Sequence, residues 1–276
     1  MQKIILIIIF LLIVLLNNLV EVKAQSRLHI LSSQNPSVQF ITFRIGRFNF
    51  QLPSRGRPSR TRSTARRGKC DSLHLDSPLI VLVPQTQESL DRISEDLPSV
   101  LGKTSEQYPV FWFYVPELPE GKNLAEFRLQ DESGNSVLRE RINIELSGQS
   151  EVVGFPLPRD EEPLAPGQNY QWIISIICNP GRPSENPSAD GWIELIEPSL
   201  DFINRLEQAS DLEKIKLYAV EGIWHETLTE LARQRLIQPY NNALIDDWTN
   251  LLINIGIDQV SEREVIEENN IRLLSE

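Results

Sequence analysis

The run PVFWFYVP (109–116) places six successive apolar side chains between two prolines. Side chains alternate between the two faces of a strand, so a strand of this composition needs cover on both faces. Proline has no backbone N–H to give to a neighbouring strand, and it marks the ends of the run. LIVLVP (79–84) has the same character and also ends at a proline. Both runs are therefore predicted to be buried central strands.

Alternating segments separated by turn residues follow this run. LAEFRLQ (124–130) and SVLRERINIEL (136–146) each place apolar and polar side chains on opposite faces, with DESGN (131–135) between them. Asp, Ser, Gly and Asn readily adopt the positive φ angles of a hairpin loop, so we expect an antiparallel hairpin. Further strands are predicted in EVVGFPL (151–157), NYQWIISIIC (169–178) and DGWIELIE (190–197).

The segment LAPGQNYQW (164–172) resembles the corner before the penultimate strand of fibronectin type III and immunoglobulin-like sandwiches. Pro166 and Gly167 make the tight turn, and the half-buried hydroxyl of Tyr170 needs a polar partner. In corners of this type the hydroxyl bonds the backbone a few residues upstream. We therefore predict an antiparallel β-sandwich of this type, with Gly167 and Tyr170 as structural residues.

From Ser199 the apolar period becomes helical. Ser210 and Glu213 form a capping-box pattern at a helix start, and Gly222 is predicted to end that helix. The order of helix, glycine turn, Trp224, helix and proline resembles a degenerate tetratricopeptide hairpin. Such repeats need about three copies for a stable solenoid, so the hairpin is expected to pack on the sandwich or on itself. The chain as a whole is predicted to be α+β.

The N-terminus has the pattern of an export signal. Residues 4–16 are an unbroken apolar run of 13, short of the roughly 20 that a spanning helix needs. Val22 and Ala24 fit the small-residue rule for cleavage. We expect residues 1–24 to be a signal peptide cleaved near Ala24, and the chain to be exported to the periplasm or outside the cell. An uncleaved N-terminal anchor is the alternative.

Charge divides the rest of the chain. Residues 25–69 hold ten Lys/Arg and no Asp/Glu, whereas residues 70–276 hold 15 Lys/Arg against 37 Asp/Glu. An acidic body repels phosphate backbones, which argues against nucleic acid as a partner. The basic leader, apart from an alternating stretch at 39–52, is expected to be disordered, either as a flexible linker or as a tether for anionic polymers, lipid headgroups or the acidic body. The predicted order is leader 25–69, β-sandwich 70–198, helical hairpin region 199–256 and tail 257–276.

The chain has two cysteines, Cys70 and Cys178. Export to an oxidising compartment favours a disulfide between them. A cysteine nucleophile is the alternative, but it needs a nearby histidine, and His74 is close in sequence only to Cys70. The loop after Cys178 is long, polar and anchored at both ends, as binding loops are. Its candidate binding residues are Asn179, Arg182, Glu185, Asn186, Asp190 and Trp192, and Trp192 is the tryptophan most expected to be exposed.

Few residues indicate catalysis. His225 lies beside Glu226, but WHETLTE lacks the second histidine of the H-E-x-x-H zinc pattern, so we expect a partly exposed histidine on a helix. The sequence has no G-x-S-x-G elbow, no P-loop and no C-x-x-C. No cofactor, metal or catalytic residue is therefore predicted.

An ordered series of blocks resembles one known family. The blocks are the Arg-rich leader ending in Cys70, then YPVFWFYVP, LQDESGN, NYQWIISIICNP, DGWIEL and LYAVEGIWHETL. They resemble a cyanobacterial family of exported proteins, domain of unknown function 928, from about Cys70 to Gly256. The resemblance implies an envelope or extracellular location and a sandwich followed by helices. It carries over no activity, cofactor or catalytic residue.

These patterns together favour a non-catalytic exported module that binds an envelope protein or a surface polysaccharide. An envelope hydrolase acting on glycan or peptide through acidic residues is the first alternative, and a structural subunit of an envelope complex is the second. Membrane contact is expected only through the signal segment or the basic leader. The sequence leaves the oligomeric state open.

Overall fold

Two β-sheets and a group of helices make up the part of the chain that the computed structural model describes, namely residues 41–45, 48–52, 75–84, 101–254, 257, 260–261, 263–266 and 272–274. The predicted signal peptide, Cys70, His74 and most of the basic leader lie outside these ranges. Within them, no helix is both long and apolar enough to cross a membrane. The predicted α+β class is confirmed.

The strands pair into two sheets and one hairpin. In chain order they are β1 (Ile41–Ile45), β2 (Phe48–Leu52), β3 (Ile80–Val81), β4 (Leu101–Thr104), β5 (Val110–Val115), β6 (Leu124–Asp131), β7 (Ile142–Glu145), β8 (Glu151–Pro156), β9 (Asn169–Ile176), β10 (Ser188–Leu195), β11 (Glu264–Ile266) and β12 (Arg272–Leu274). One sheet has the order β12-β7-β6-β9-β10-β4, and the other has β11-β8-β5-β3. β1 and β2 form a separate antiparallel pair. β4 runs parallel to β10, and β11 runs parallel to β8.

The inner faces of the two sheets pack against each other. The Phe127 ring of β6 lies 4.9 Å from the Phe111 ring of β5 and 4.8 Å from the Phe155 ring of β8. Trp172 of β9 joins this cluster at 5.1 Å from Phe111. All four side chains are buried, and the aromatic pairs contribute packing energy beyond their buried area. This contact makes the two sheets the two layers of a sandwich.

The four-stranded sheet also has helices on its other face. Trp112 and Tyr114 of β5 and Val152 of β8 pack with buried residues of the helices, while Phe111 and Phe113 face the other sheet. The middle sheet is therefore covered on both faces, which is why PVFWFYVP does not alternate in polarity. The prediction that this run is a buried central strand is confirmed.

The helices are α1 (Leu200–Gln208), α2 (Asp211–Glu221), α3 (Trp224–Ile237) and α4 (Asn242–Asn254). At the start of α2 the Ser210 backbone N–H donates to the Glu213 carboxylate over 2.9 Å, as the capping-box pattern predicts. Gly222 follows α2 in the left-handed region with φ 70°. Both predicted helix ends are thus confirmed.

The β1–β2 hairpin contacts the helical layer. Phe50 of β2 is fully buried, and its ring meets the Trp224 ring edge-to-face at 5.2 Å. The Trp224 indole N–H donates to the Leu82 carbonyl at 2.9 Å, which fixes the start of α3 on the middle sheet. The alternating stretch at 39–52 thus contains two strands, and Phe50 of the second packs on the helical layer.

Candidate functional site

Two of the predicted binding-loop residues hold the loop in shape. The Asn186 side-chain oxygen accepts the backbone N–H groups of Cys178 at 3.1 Å and Asn179 at 3.2 Å. The Asn179 side-chain oxygen accepts the Gly181 N–H at 3.0 Å. Asn186 is buried, so its side chain satisfies backbone donors that have no strand partner. These two residues give the loop a fixed conformation.

The charged loop residues differ in how far they reach solvent. Arg182 is exposed and pairs with Glu185 at 3.0 Å, on a single turn of 3-10 helix at Pro183–Glu185. Asp190 lies within β10 and accepts a hydrogen bond from the Gln171 side chain at 2.8 Å. Arg182 and Glu185 are thus the members of the predicted set that the loop presents outward.

Trp192, the tryptophan most expected to be exposed, is fully buried, with 0% exposure. ADG before Trp192 has the composition of a loop end, yet residues 188–195 form β10. Trp192 pairs with Gln171 of β9 on one side and Leu101 of β4 on the other. A tryptophan in the interior of a sheet is a packing residue, so Trp192 belongs to the scaffold of the loop.

Cys178 lies buried just after β9, where the loop begins. The Lys122 ammonium group donates to its carbonyl oxygen at 3.2 Å. Its proposed partner Cys70 is outside the described residues, so the disulfide stays a prediction.

The tyrosine corner has the predicted contacts. The Tyr170 hydroxyl accepts the Ala165 backbone N–H at 2.9 Å and donates to the Gln168 side chain at 3.1 Å. Gly167 has φ 72°, a left-handed conformation that glycine adopts at little cost. Its N–H donates to the Leu195 carbonyl at 2.8 Å, which ties the corner to the end of β10.

A buried polar cluster at the start of α3 was not found by sequence reasoning. Glu226 is 7% exposed, and its carboxylate accepts the Thr104 hydroxyl at 2.5 Å and the Ser105 backbone N–H at 3.2 Å. Burial raises the pKa of Glu226 to about 7, against the opposing effect of these two hydrogen bonds. The carboxylate therefore joins α3 to the end of β4.

His225 is buried rather than partly exposed, which corrects the sequence-based expectation. Its Nδ1–H donates to the Val110 carbonyl at 3.1 Å, and burial lowers its pKa to about 4. A Cβ on Gly102 would lie 2.9 Å from His225 Nε2. The imidazole therefore packs against the Gly102 backbone at a distance that a larger residue would not allow. One feature of the sequence could have indicated this burial: His225 and Glu226 directly follow Trp224, a large apolar residue at the first position of the helix.

This cluster has an acid–base pair in sequence but not the geometry of an open catalytic site. A carboxyl group with a pKa near 7 suits proton transfer, yet both Glu226 oxygens are occupied by groups of β4 and the residue after it. Trp112 of β5 also connects a sheet to α3, because its indole N–H donates to the Thr229 hydroxyl at 2.9 Å. These contacts give the cluster the role of fixing α3 on the sheets. In the part of the chain that the structure describes, no three metal-binding side chains converge.

The large apolar side chains that are exposed belong to the helical part of the described chain. Among the described residues they all lie between positions 200 and 253, on the helices or the turn between two of them: Leu200, Ile203, Val220, Leu236, Ile237, Tyr240 and Ile253. The helical layer therefore covers the middle sheet with one side and presents apolar groups to solvent with another.

Two packed sheets with helices as a third layer define an α+β protein. The chain belongs to the family described as Domain of Unknown Function (DUF928), whose model matches residues 62–265. This match confirms the family resemblance drawn from the sequence blocks, while the cyanobacterial origin stays a prediction. No curated protein and no solved structure matches the chain.

Proposed function

We propose that the protein is a non-catalytic exported module that binds an envelope protein or a surface polysaccharide through helices α1 and α2. The observation that carries the proposal is the exposure of Leu200, at 80%, on a helix whose Phe202 is buried. Leu200 and Ile203 are one turn apart and therefore share a face. A partner that covers an exposed apolar face removes apolar surface from water, and this lowers the free energy of the complex.

Contacts between α1 and α2 hold this surface in place. The Phe202 ring lies 5.8 Å from the Tyr218 ring, and Arg205 of α1 pairs with Glu221 of α2 at 3.1 Å. Val220, beside Glu221, is also exposed. The surface thus combines apolar groups with a rim of charged side chains, which is the usual composition of a protein interface.

The fold type belongs to the same proposal. The corner at Tyr170 supports an immunoglobulin- or fibronectin-like sandwich. The helix–Gly222–helix arrangement supports a tetratricopeptide-like hairpin, and hairpins of that kind are binding elements in tetratricopeptide repeats. Export is supported by the N-terminal signal pattern. The burial of Cys178 beside an ordered loop supports a Cys70–Cys178 disulfide formed after export.

The loop at 179–187, before β10, is the second surface that the proposal offers to a partner. Its shape is fixed by Asn186 and Asn179, so binding through Arg182 and Glu185 costs little ordering of the backbone. Because this surface is polar, it suits a polysaccharide or a charged protein segment. The apolar surface on α1 and α2 suits a protein.

A crosslinking pull-down from the native envelope, read by mass spectrometry, tests the proposal. The exported chain is compared with Leu200→Ser/Val220→Ser and with Arg182→Ser/Glu185→Ser, and Arg139→Ser serves as an exposed control on the sandwich. We expect a stoichiometric partner that one of the two surface variants loses and the control keeps. Equal recovery with all variants would overturn the surface assignment. Hydrolysis of an envelope glycan or peptide that depends on one acidic residue would replace binding with the alternative hydrolase function.

A further inference from the structure

Two neighbouring residues of α3 hold the two ends of one connection between strands. This connection, residues 105–109, joins β4 to β5. Glu226 contacts its beginning, because its carboxylate accepts the Ser105 backbone N–H at 3.2 Å. His225 contacts the residue that follows the connection, since its ring donates to the Val110 carbonyl at 3.1 Å. The first turn of α3 therefore fixes the connection at both ends.

The end that Glu226 holds lies close to solvent. Ser105 is only half-buried, and Glu106 and Gln107 after it are exposed. β4 is at the edge of its sheet, and the Ser105 N–H bonds the Glu226 carboxylate rather than a neighbouring strand. A small movement of residues 105–107 would therefore bring the buried carboxyl group into contact with water.

The groups around Glu226 favour its protonated form. Glu106 of the connection raises the pKa of Glu226, and among the described residues no lysine or arginine lowers it. Glu230 lies one turn further along α3 and is paired with Arg233. Tyr218 of α2 interacts with all three carboxyl groups, and its pKa is raised by burial and then by these charges, so its phenol stays neutral. A negative charge on Glu226 therefore has acidic or neutral neighbours on each of these elements.

A protonated carboxyl group keeps both contacts without a buried charge. Its O–H can donate to the Thr104 hydroxyl oxygen, 2.5 Å away, while its other oxygen accepts the Ser105 N–H. An ionised carboxylate also accepts two hydrogen bonds, but it leaves a negative charge in a buried position beside Glu106. Burial accordingly raises the pKa of Glu226 to about 7, in spite of these hydrogen bonds. The contact is therefore most favourable when Glu226 carries a proton.

We propose that the contact of Glu226 with the end of β4 is a proton-dependent latch, which releases residues 105–107 when Glu226 loses its proton. His225 keeps its hold on Val110, because burial lowers its pKa to about 4 and it stays neutral from pH 6 to pH 8. Release is therefore confined to the beginning of the connection. This inference goes beyond the proposed function, since it concerns a response to protons and not a binding partner.

The size of the response follows from the two pKa values of Glu226. Release returns its carboxyl group to water and to the ordinary pKa of 4.5, against about 7 in the closed latch. The closed latch therefore binds more protons than the open one. The free energy that these protons contribute to closure is fully present below pH 4.5 and is lost as the pH rises through 7. From pH 6 to pH 8 the equilibrium constant for release should increase about tenfold.

Amide hydrogen exchange at pH 6 and pH 8, read by NMR on the natively processed chain, tests the latch. Each exchange rate is compared with that of an unstructured peptide at the same pH, which gives a protection factor. The protection factor of the Ser105 N–H should fall about tenfold between the two pH values. The Leu157 N–H donates to the Pro109 carbonyl at 2.9 Å and reports on the other end of the connection. Its protection should change less than about threefold, because global unfolding also releases His225, whose effect opposes that of Glu226.

Two variants separate the latch from other effects of pH. Glu226→Gln cannot ionise, so its Ser105 protection factor should be the same at both pH values, whereas Glu230→Gln should keep most of the tenfold fall. An unchanged Ser105 protection factor in the original chain would overturn the inference, and this measurement needs no variant. So would an equal fall at Ser105 and Leu157, or a fall at Ser105 that remains in Glu226→Gln. None of these results bears on the pull-down, so the proposed function is judged separately.

Discussion

Replacing Glu226 by glutamine should change how stability depends on pH. Burial raises the pKa of Glu226 from 4.5 to about 7 in the folded chain, whereas the unfolded chain ionises near the ordinary value. The protonated carboxyl group is therefore favoured by folding. Its contribution is fully present below pH 4.5 and is lost as the pH rises through 7. Glutamine resembles the protonated acid but does not ionise. The stability of Glu226→Gln therefore does not lose this contribution as the pH rises.

The magnitude follows from the pKa interval. An interval from 4.5 to about 7 corresponds to about 3 kcal/mol at 1.36 kcal/mol per pH unit. The unfolding free energy of Glu226→Gln minus that of the original chain should therefore increase by about 3 kcal/mol between pH 4 and pH 8. Glutamine keeps an oxygen that accepts a hydrogen bond from Thr104 or Ser105, which preserves the packing of α3.

His225 acts in the opposite direction over nearly the same range. Burial lowers its pKa from 6.5 to about 4, so its contribution is present above pH 6.5 and is lost as the pH falls towards 4. In the original chain the two effects nearly cancel between about pH 4.5 and 6.5. In Glu226→Gln only the histidine effect remains, so stability should rise with pH across this window.

Urea unfolding followed by tryptophan fluorescence from pH 4 to pH 8 measures these differences, since all five tryptophans are buried. Glu230→Gln is the matched control, because it removes one negative charge from the same helix at a residue paired with Arg233 on the surface. Its effect should be no more than about 1 kcal/mol at any pH. A difference between Glu226→Gln and the original chain that stays constant with pH would refute the reasoning.

Three further outcomes follow from other contacts. Gly154→Ala should destabilise the chain by about 1–3 kcal/mol in urea unfolding, because a Cβ there would lie 2.6 Å from the Trp112 ring; a neutral effect would contradict this packing. Tyr170→Phe should cost about 1–2 kcal/mol, since the partly buried Ala165 backbone N–H loses its acceptor; an unchanged midpoint would show that the corner does not depend on the hydroxyl. Thiol titration of the unreduced, unfolded, exported chain should find no free thiol if Cys70 and Cys178 are paired, and two thiols would exclude the disulfide.

Features set by neighbouring residues were predictable from the sequence. The cap at Ser210, the glycine stop at Gly222 and the corner at Tyr170 depend on contacts within a few residues, and each has the expected geometry. The central strand at 110–115 was also recognisable, because six apolar residues without alternation require cover on both faces.

Features set by contacts between distant segments were not predictable. Glu226 meets Thr104 across 122 positions of sequence, and nothing near either residue indicates the other. The burial of His225 depends on Gly102, whose missing side chain makes room for the imidazole. Trp192 was misplaced because the strand β10 begins inside a segment that reads as a loop. For Glu226 and His225 the partner that decides burial lies on a strand of a sheet, far from the helix in sequence.

The double cover of the middle sheet has a consequence for biosynthesis. The ribosome completes β5 and β8 well before it reaches α3 and α4, which cover Trp112, Tyr114 and Val152. A nascent chain ending near residue 200 would therefore carry an uncovered aromatic face, the kind of surface that drives aggregation of partly made proteins. We expect this chain to need a holding chaperone until its C-terminal third is synthesised.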